Sequence, residues 1–323
     1  MSRKIVLIEG DGIGKEVISA AKTVLMALAL PDLVIEEAEA GYGTYEKYGN
    51  ALPGHTLSLC EISDAILFGA TQSPLGEAGA YKSPILSLRN HFDLYANLRP
   101  CIGNGIDLMI VRENTEGLYS KRERLEDNGK TAIAERVITR FASERITRRA
   151  CQIASTRKGH LTIVHKSNVL KLTCGLFRET AFEVAEGFPN LRVDEKLVDA
   201  MALSLVENAS VYDVIVTTNL FGDILSDLTA GLCGGIGLAP SANIGDAGPA
   251  LFEPVHGSAP DIAGQGIADP RAAFLSLAMA LHHMGYEALA KALQQQSLTI
   301  AHSGKTALTT EQVIEGLNHY VGV

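Results

Sequence analysis

The chain has 323 residues, of which 46% are hydrophobic, 20% charged and 6% aromatic, and its formal net charge is −9. That length and aliphatic balance suit one large or two medium α/β cores, and the negative charge argues against nucleic acid or an anionic membrane as partner. Binding of an anionic ligand then requires positive charge gathered locally.

Met1-Ser-Arg-Lys4 runs directly into the apolar Ile5-Val-Leu-Ile8, a stretch too short for a signal segment and patterned as a buried strand. Gly10-Asp11-Gly12-Ile13-Gly14 follows it and precedes a helical pattern at Glu16–Leu28. A dinucleotide-binding fingerprint is rejected here, because the third glycine comes two residues after the second instead of three, although Glu36 and Glu37 offer a tempting acid downstream. A tight turn needing permissive backbone accounts for Gly12 and Gly14.

Further short apolar runs at Ala65–Phe68, Leu108–Val111, Leu161–Val164 and Val214–Val216 read as buried strands. Ser143–Ser155, Leu176–Gly187 and Ala272–Gly285 carry helical spacing, so βα alternation predicts a largely parallel sheet. Residues 119–140 are charged and contain Asp127-Asn128-Gly129, a hairpin turn signal that marks an excursion from the sheet. No apolar run approaches the length of a membrane span. Cys60, Cys101, Cys151, Cys174 and Cys233 lie far apart and read as reduced thiols of a cytoplasmic protein, not a disulfide framework or zinc site.

Chemistry concentrates in Asn219-Leu-Phe-Gly-Asp223-Ile-Leu-Ser-Asp227. Two aspartates four apart share one helix face and repel unless a cation lies between them, and their hard oxygens suit Mg²⁺ or Mn²⁺. An ordinary solvated helix face also tolerates such a pair. The flanking apolar residues favour a cleft. Arg89, Arg99 and Arg112 supply counter-charge near strand ends, where α/β clefts open, and guanidinium groups bind carboxylates bidentately. One such arginine is ordinarily a structural ion pair, whereas three favour a polyanionic substrate.

Six stretches, in order, resemble the β-decarboxylating dehydrogenase family, which includes isocitrate, 3-isopropylmalate, homoisocitrate and tartrate/D-malate dehydrogenases. They are Glu9–Gly14, Asp93–Pro100, Arg112–Tyr119, His165-Lys166-Ser-Asn168-Val-Leu170, Asn219–Asp227 and Phe252-Glu-Pro-Val-His256-Gly-Ser-Ala-Pro-Asp261-Ile-Ala-Gly264. The resemblance implies an α/β isopropylmalate dehydrogenase-like fold, not Rossmann: a large mixed sheet in two domains around a cleft. One domain is expected from residues 1–98 and 238–323, for cofactor. The other is expected from 99–237, for substrate, metal and dimerisation, with residues 119–140 as an intersubunit clasp. A homodimer with shared active sites is implied, with pairing into a tetramer left open.

By the same resemblance Asp223 and Asp227 hold a divalent metal with Asp199 of the other subunit. Lys166, also from the partner, takes the hydroxyl proton, a task that suits a lysine whose charge a nearby cation disfavours. Tyr119 returns a proton to the enol carbon, and Arg89, Arg99 and Arg112 clamp the carboxylates common to all family substrates. His165 is left as structural.

His256, Gly257, Ser258, Ala259, Asp261 and Ile262 resemble the family's adenosine loop, and Thr71, Asn219 and Asp269 complete the expected cofactor contacts. An acid at Asp261 accepts from a ribose diol and repels a 2′-phosphate, so NAD is expected over NADP. Asp269 replaces the family's usual Asn before Pro270 and alters the adenine contact. His302-Ser-Gly-Lys-Thr-Ala-Leu-Thr-Thr-Glu311 replaces the family's usual Thr-x-Asp-Leu-Gly-Gly stretch near the end.

Residues 81–88 read the group on the substrate's third carbon. Ser83-Pro84-Ile85 is similar to the pattern of homoisocitrate dehydrogenases, with Ser73 and Ser83 as donors to a distal carboxylate and Leu86 against its methylenes or in the core. This favours oxidation of homoisocitrate to 2-oxoadipate, with isocitrate and 3-isopropylmalate as alternatives, since one methylene discriminates by only about 1–3 kcal/mol. A non-catalytic regulatory subunit or a pure carboxylate-binding module is the reading of a different class. Both are disfavoured because Tyr119, Lys166, Asp199, Asp223 and Asp227 are all present.

Overall fold

The computed structural model describes residues 2–72 and 81–317; Ser73, assigned above to substrate, lies outside them. The chain begins with β1 (Arg3–Gly10), α1 (Gly14–Ala27), β2 (Leu33–Ala38), α2 (Tyr42–Tyr48), α3 (Gly54–Glu61), β3 (Ala65–Ala70) and α4 (Pro84–His91). It continues with β4 (Ala96–Gly103), β5 (Ile106–Glu113), β6 (Glu123–Glu126), β7 (Thr131–Ala134), α5 (Arg140–Ser155), β8 (His160–His165), α6 (Thr173–Ala185), β9 (Arg192–Leu197), α7 (Val198–Asn208), β10 (Val214–Thr217) and α8 (Asn219–Leu232). β11 (Pro240–Ile244), β12 (Ala250–Pro254), α9 (Arg271–His283), α10 (Glu287–Thr299) and α11 (Thr306–Gly316) follow.

Contacts divide the chain into two compact units, Met1–Leu94 with Gly235–Val323, and Tyr95–Gly234. The strands are ordered β2-β1-β3-β12-β11 in the first unit and β4-β5-β10-β8-β9 in the second. Within each unit the sheet is mixed and largely parallel, as expected. β4 with β5 and β11 with β12 run antiparallel, while β1, β2, β3 and β12, and β5, β10, β8 and β9, pair in parallel.

The first unit is built on β1 and β3. Ile5, Val6, Leu7 and Ile8 are buried, as is every residue of β3, because helices cover both sheet faces and the strands read as continuous apolar runs. α1 buries Val17, Ile18, Ala21, Val24 and Leu25, the i, i+3, i+4 stripe of a sheet-packed helix. Its N-terminal turn holds Gly12 at φ +57°, where a Cβ would sit 2.0 Å from the carbonyl oxygen of Ser258. In this chain the turn is therefore shaped by what packs on it as well as by its backbone angle.

In the second unit β5, β8 and β10 form the central strands, with Leu108, Ile110, Val164 and Ile215 packed against Met201 and Leu205 of α7 and Leu225 of α8. β6 and β7 form a separate two-stranded ribbon, and every residue of β6 is exposed. Asp127, Asn128 and Gly129 all have positive φ at its tip, as the turn chemistry predicts.

Candidate active site

β5 ends at Glu113 and delivers Arg112, 2% exposed, to the N-terminal turns of α8. The close approach depends on Gly222, where a Cβ would lie 2.7 Å from the Arg112 side chain. Arg112 donates through Nε and Nη2 to the Asn219 amide oxygen at 3.1 and 2.7 Å, and its Nη1 pairs with Asp223. Asn219 donates in turn to the carbonyl of Glu116 at 3.1 Å, so its amide serves the protein through both ends.

Arg99, on β4, is also buried. Its Nη2 lies 3.4 Å from Asp223, its Nη1 lies 3.3 Å from Asp227 and 2.6 Å from Ser226 Oγ, and its Nε donates to Asn97 at 2.7 Å. The Tyr119 hydroxyl donates to Asp223 Oδ2 at 2.5 Å, and the Arg112 guanidinium stands 5.1 Å from the centre of the Tyr119 ring. Burial, helped by the bond to Asp223, pushes the Tyr119 phenol above its usual range, so it keeps its proton. One acidic helix face thus collects two guanidinium groups and a phenol.

Lys166 and Asp199 form a second group. Lys166, just past β8, pairs through Nζ with Asp199 at the start of α7, and that contact holds the Asp199 carboxyl below its usual range. The neighbouring His165 is buried. Its Nδ1 accepts from the Ser167 amide at 3.2 Å, which leaves Nε2 to donate to Glu195 at 2.9 Å. Among the described residues no three His, Cys, Asp or Glu side chains gather as a metal cage.

The first unit carries the remaining predicted residues. Ser83 caps α4, accepting from the Leu86 amide at 3.5 Å, and so serves the helix as an N-cap. Leu86 is half-buried on the same helix, and Arg89 pairs with Glu253 at 2.7 Å. Thr71 follows directly on β3.

In the loop after β12, Ser258 is buried, and its carbonyl accepts from the Ile13 amide at 2.9 Å. Ala259 holds φ +37°, a strained angle for a residue with a Cβ. Burial lowers the His256 pKa. Its Nδ1 lies 3.0 Å from the Gly257 carbonyl, and its buried Nε2 has no protein partner. Asp261 is exposed and Ile262 half-buried.

The two departures from the family pattern meet. Asp269 binds Arg271 with both oxygens, at 3.0 Å from Nε and 2.8 Å from Nη2, and His302 lies 4.0 Å away. His302 and Thr306 tie this C-terminal stretch to Ile267, Gly266 and Ala268. The unusual terminus is therefore packed beneath the loop.

Three side chains outside the motif assignments stand against these groups. Glu16 accepts from the Gly264 amide. Arg136, beyond β7, donates to Thr218 Oγ1 at 2.7 Å and lies 4.9 Å from the Phe221 ring centre. Glu116 accepts from Thr139. One signal could have exposed Glu116: Thr139 has the makings of an N-cap but Ala142 stands where a capping-box acid would follow.

Comparison with known proteins matches residues 4–315 to the isocitrate/isopropylmalate dehydrogenase family model. An isocitrate/homoisocitrate dehydrogenase of Thermus thermophilus is 50% identical over 98% of this chain and 99% of its own. A 3-isopropylmalate dehydrogenase of Archaeoglobus fulgidus is 48% identical over 94% of this chain and 93% of its own. The crystal structure of isocitrate dehydrogenase from Methylococcus capsulatus superposes with a TM-score of 0.87 at 40% identity, covering 98% of this chain and 99% of that one.

Proposed function

The chain belongs to the isocitrate/isopropylmalate dehydrogenase family of oxidoreductases, and from that premise we propose that it is an NAD- and divalent-metal-dependent enzyme that oxidises and decarboxylates homoisocitrate to 2-oxoadipate. The observation that carries this reading is the gathering of Arg112, Arg99 and the Tyr119 hydroxyl on the Asp223 carboxylate. The two buried guanidinium groups offset the charge of Asp223 and Asp227, so an anionic substrate can enter beside a divalent ion.

The donor set fits a hard divalent ion: Asp223 and Asp227 present oxygens from successive turns of α8. Two carboxylates are few for such an ion, and Asp199, largely exposed on α7 beside Lys166, would serve a second copy as the third. Leu203 and Val206 of α7 are each 60% exposed and Ile224 of α8 is 57% exposed, apolar surface suited to burial between two copies. The exposed ribbon of β6 and β7 supports the same dimer, because a two-stranded hairpin is marginal alone.

For the dinucleotide, the fit rests on His256 Nε2, a buried polar atom awaiting a partner, and on the exposed Asp261 carboxylate, which suits a ribose diol. Gly257, Ser258, Ala259 and Ile262 would shape the same loop, with Thr71 as a remaining contact and Asp269 acting through its bond to Arg271.

A bound metal would polarise the 2-hydroxyl, and a bound nicotinamide would accept the hydride from C2, the carbon that carries that hydroxyl. Arg99 and Arg112 hold the substrate carboxylates, and Arg89 and Ser83 complete the assigned substrate contacts. Lys166 takes the hydroxyl proton, the bond to the leaving carboxylate breaks to give carbon dioxide, and Tyr119 donates a proton to the resulting enol carbon. One proton is removed and one is returned, so the oxidised product, carbon dioxide and reduced cofactor balance.

The test is NADH release, with Mn²⁺, from homoisocitrate, isocitrate, 3-isopropylmalate, D-malate and tartrate in turn. Homoisocitrate is expected to give the highest kcat/KM, and EDTA to abolish release. No NADH from any of the five would overturn the enzymatic reading; a clear preference for 3-isopropylmalate would overturn only the substrate. Asp261→Lys with Ile262→Tyr is expected to move preference toward NADP by about 10²-fold, since it exchanges a repulsive for an attractive charge. An unchanged ratio of kcat/KM for the two cofactors would discard the loop assignment.

A further inference from the structure

We propose that Glu116 is a positioning residue that ties the Tyr119 phenol to the start of α5. The inference rests on the reading of Tyr119 as the acid that returns the proton.

Glu116 is buried, 9% exposed, three residues before Tyr119. Its carboxylate accepts from the Thr139 amide at 2.9 Å through Oε1 and from the Thr139 hydroxyl at 2.8 Å through Oε2. Thr139 is the N-cap of α5, and its Oγ1 accepts from the Ala142 amide at 3.1 Å. In an ordinary capping box the acid that binds the cap's own amide sits three residues further along the helix. Position 142 is alanine, and Glu116 fills that role from the loop after β5.

The consequence reaches Tyr119 by a short path. Gly117, held at φ +79°, exchanges backbone hydrogen bonds with Val137 at 2.8 and 3.4 Å, so the loop before Tyr119 and the return from β7 are joined at two adjacent residues. The Glu116 carbonyl accepts from Asn219, which also holds Arg112. Glu116 is thus fastened by its side chain to α5 and by its backbone to α8, where Asp223 receives the phenol. Without the carboxylate, α5 loses its cap partner and the Tyr119 loop loses its outer anchor. The expected result is a phenol displaced from the enol carbon, and about 1 Å of displacement can cost 10²-fold in rate.

A displaced acid also leaves a chemical trace. With homoisocitrate, NAD and Mn²⁺ in D₂O, the native enzyme is expected to deliver deuterium to one face of the carbon that loses carbon dioxide, read by NMR of the product. Glu116→Ala is expected to lower kcat by about 10- to 10²-fold with KM within about twofold, and to label both faces as solvent protonates the enol. Glu116→Gln keeps an acceptor oxygen for the Thr139 amide and is expected to restore labelling of one face. Should Glu116→Ala fail to fold, Thr139→Ser and Thr139→Val make the same comparison, the first keeping the hydroxyl bond and single-face labelling, the second losing both. Single-face labelling by Glu116→Ala, or by Thr139→Val in its stead, overturns the inference. Tyr119→Phe separates the two levels. If it too labels one face, the assignment of Tyr119 falls and takes the inference with it; if it labels both while Glu116→Ala labels one, the inference falls alone.

Discussion

Lys166→Met is expected to lower kcat by about 10³-fold while leaving the Kd for NADH within about twofold, as general-base side chains typically contribute 10²–10⁴. Methionine keeps the length and apolar stem of lysine but cannot accept a proton. The substitution also removes the cation that pairs with Asp199, so the Asp199 carboxyl is expected to rise toward its ordinary range. Because Asp199 is exposed at the start of α7, that change should barely affect stability, and thermal denaturation should match the native protein. A variant with near-native turnover would remove Lys166 from the proton path. A variant with low turnover and a lowered denaturation midpoint would point instead to a structural fault.

Asp223→Asn should be costlier still for the molecule. The change keeps shape and removes charge at the one carboxylate that Arg112 and Arg99 share. Turnover is expected to fall by about 10³-fold or more, since several kcal/mol of charge stabilisation are lost and each 1.36 kcal/mol is a factor of ten. Two readouts beyond turnover are expected. Mn²⁺ affinity measured by calorimetry in the presence of homoisocitrate should weaken by at least about tenfold. The denaturation midpoint should drop modestly, because Arg112 is buried and loses its charged partner, while the half-exposed position of Asp223 and the bonds Arg112 keeps with Asn219 limit the cost. Unchanged Mn²⁺ affinity would remove Asp223 from the metal site, whatever happened to the rate.

The sequence made the central strands readable and the rest less so, for physical reasons. β1, β3, β5, β8 and β10 are covered on both faces, and their unbroken apolar runs announce it. The edge strand β2 mixes buried and exposed positions around Glu36 and Glu37, and β4 and β11 contain Pro100 and Pro240, so none has the composition of a central strand. The antiparallel pairs were invisible to an argument from βα alternation. Helix stripes were found, with ends displaced by up to three residues, because the apolar stripe does not mark where the first and last turns close.

Motif spacing pointed to Arg99, Arg112, Tyr119, Asp223 and Asp227, and these five meet in one cluster of the second unit. What spacing could not give is the use each group makes of its neighbours. Ser83 also caps α4, and Arg89 also pairs with Glu253. Asp269 is spent on Arg271. The reverse failure is Glu116, whose partner Thr139 is remote in sequence and joined to it only by the loop's return.

The order of strands in the first unit bears on how the protein is made. β3 lies between β1 and β12, and the β12 segment is translated only after the whole of the second unit. An emerging chain therefore exposes one flank of β3, with its unpaired amides and carbonyls, while the continuous second unit has everything it needs to close on the ribosome. Synthesis leaves a half-built, sticky sheet waiting for its last neighbour, which is the interval in which a chaperone has something to protect.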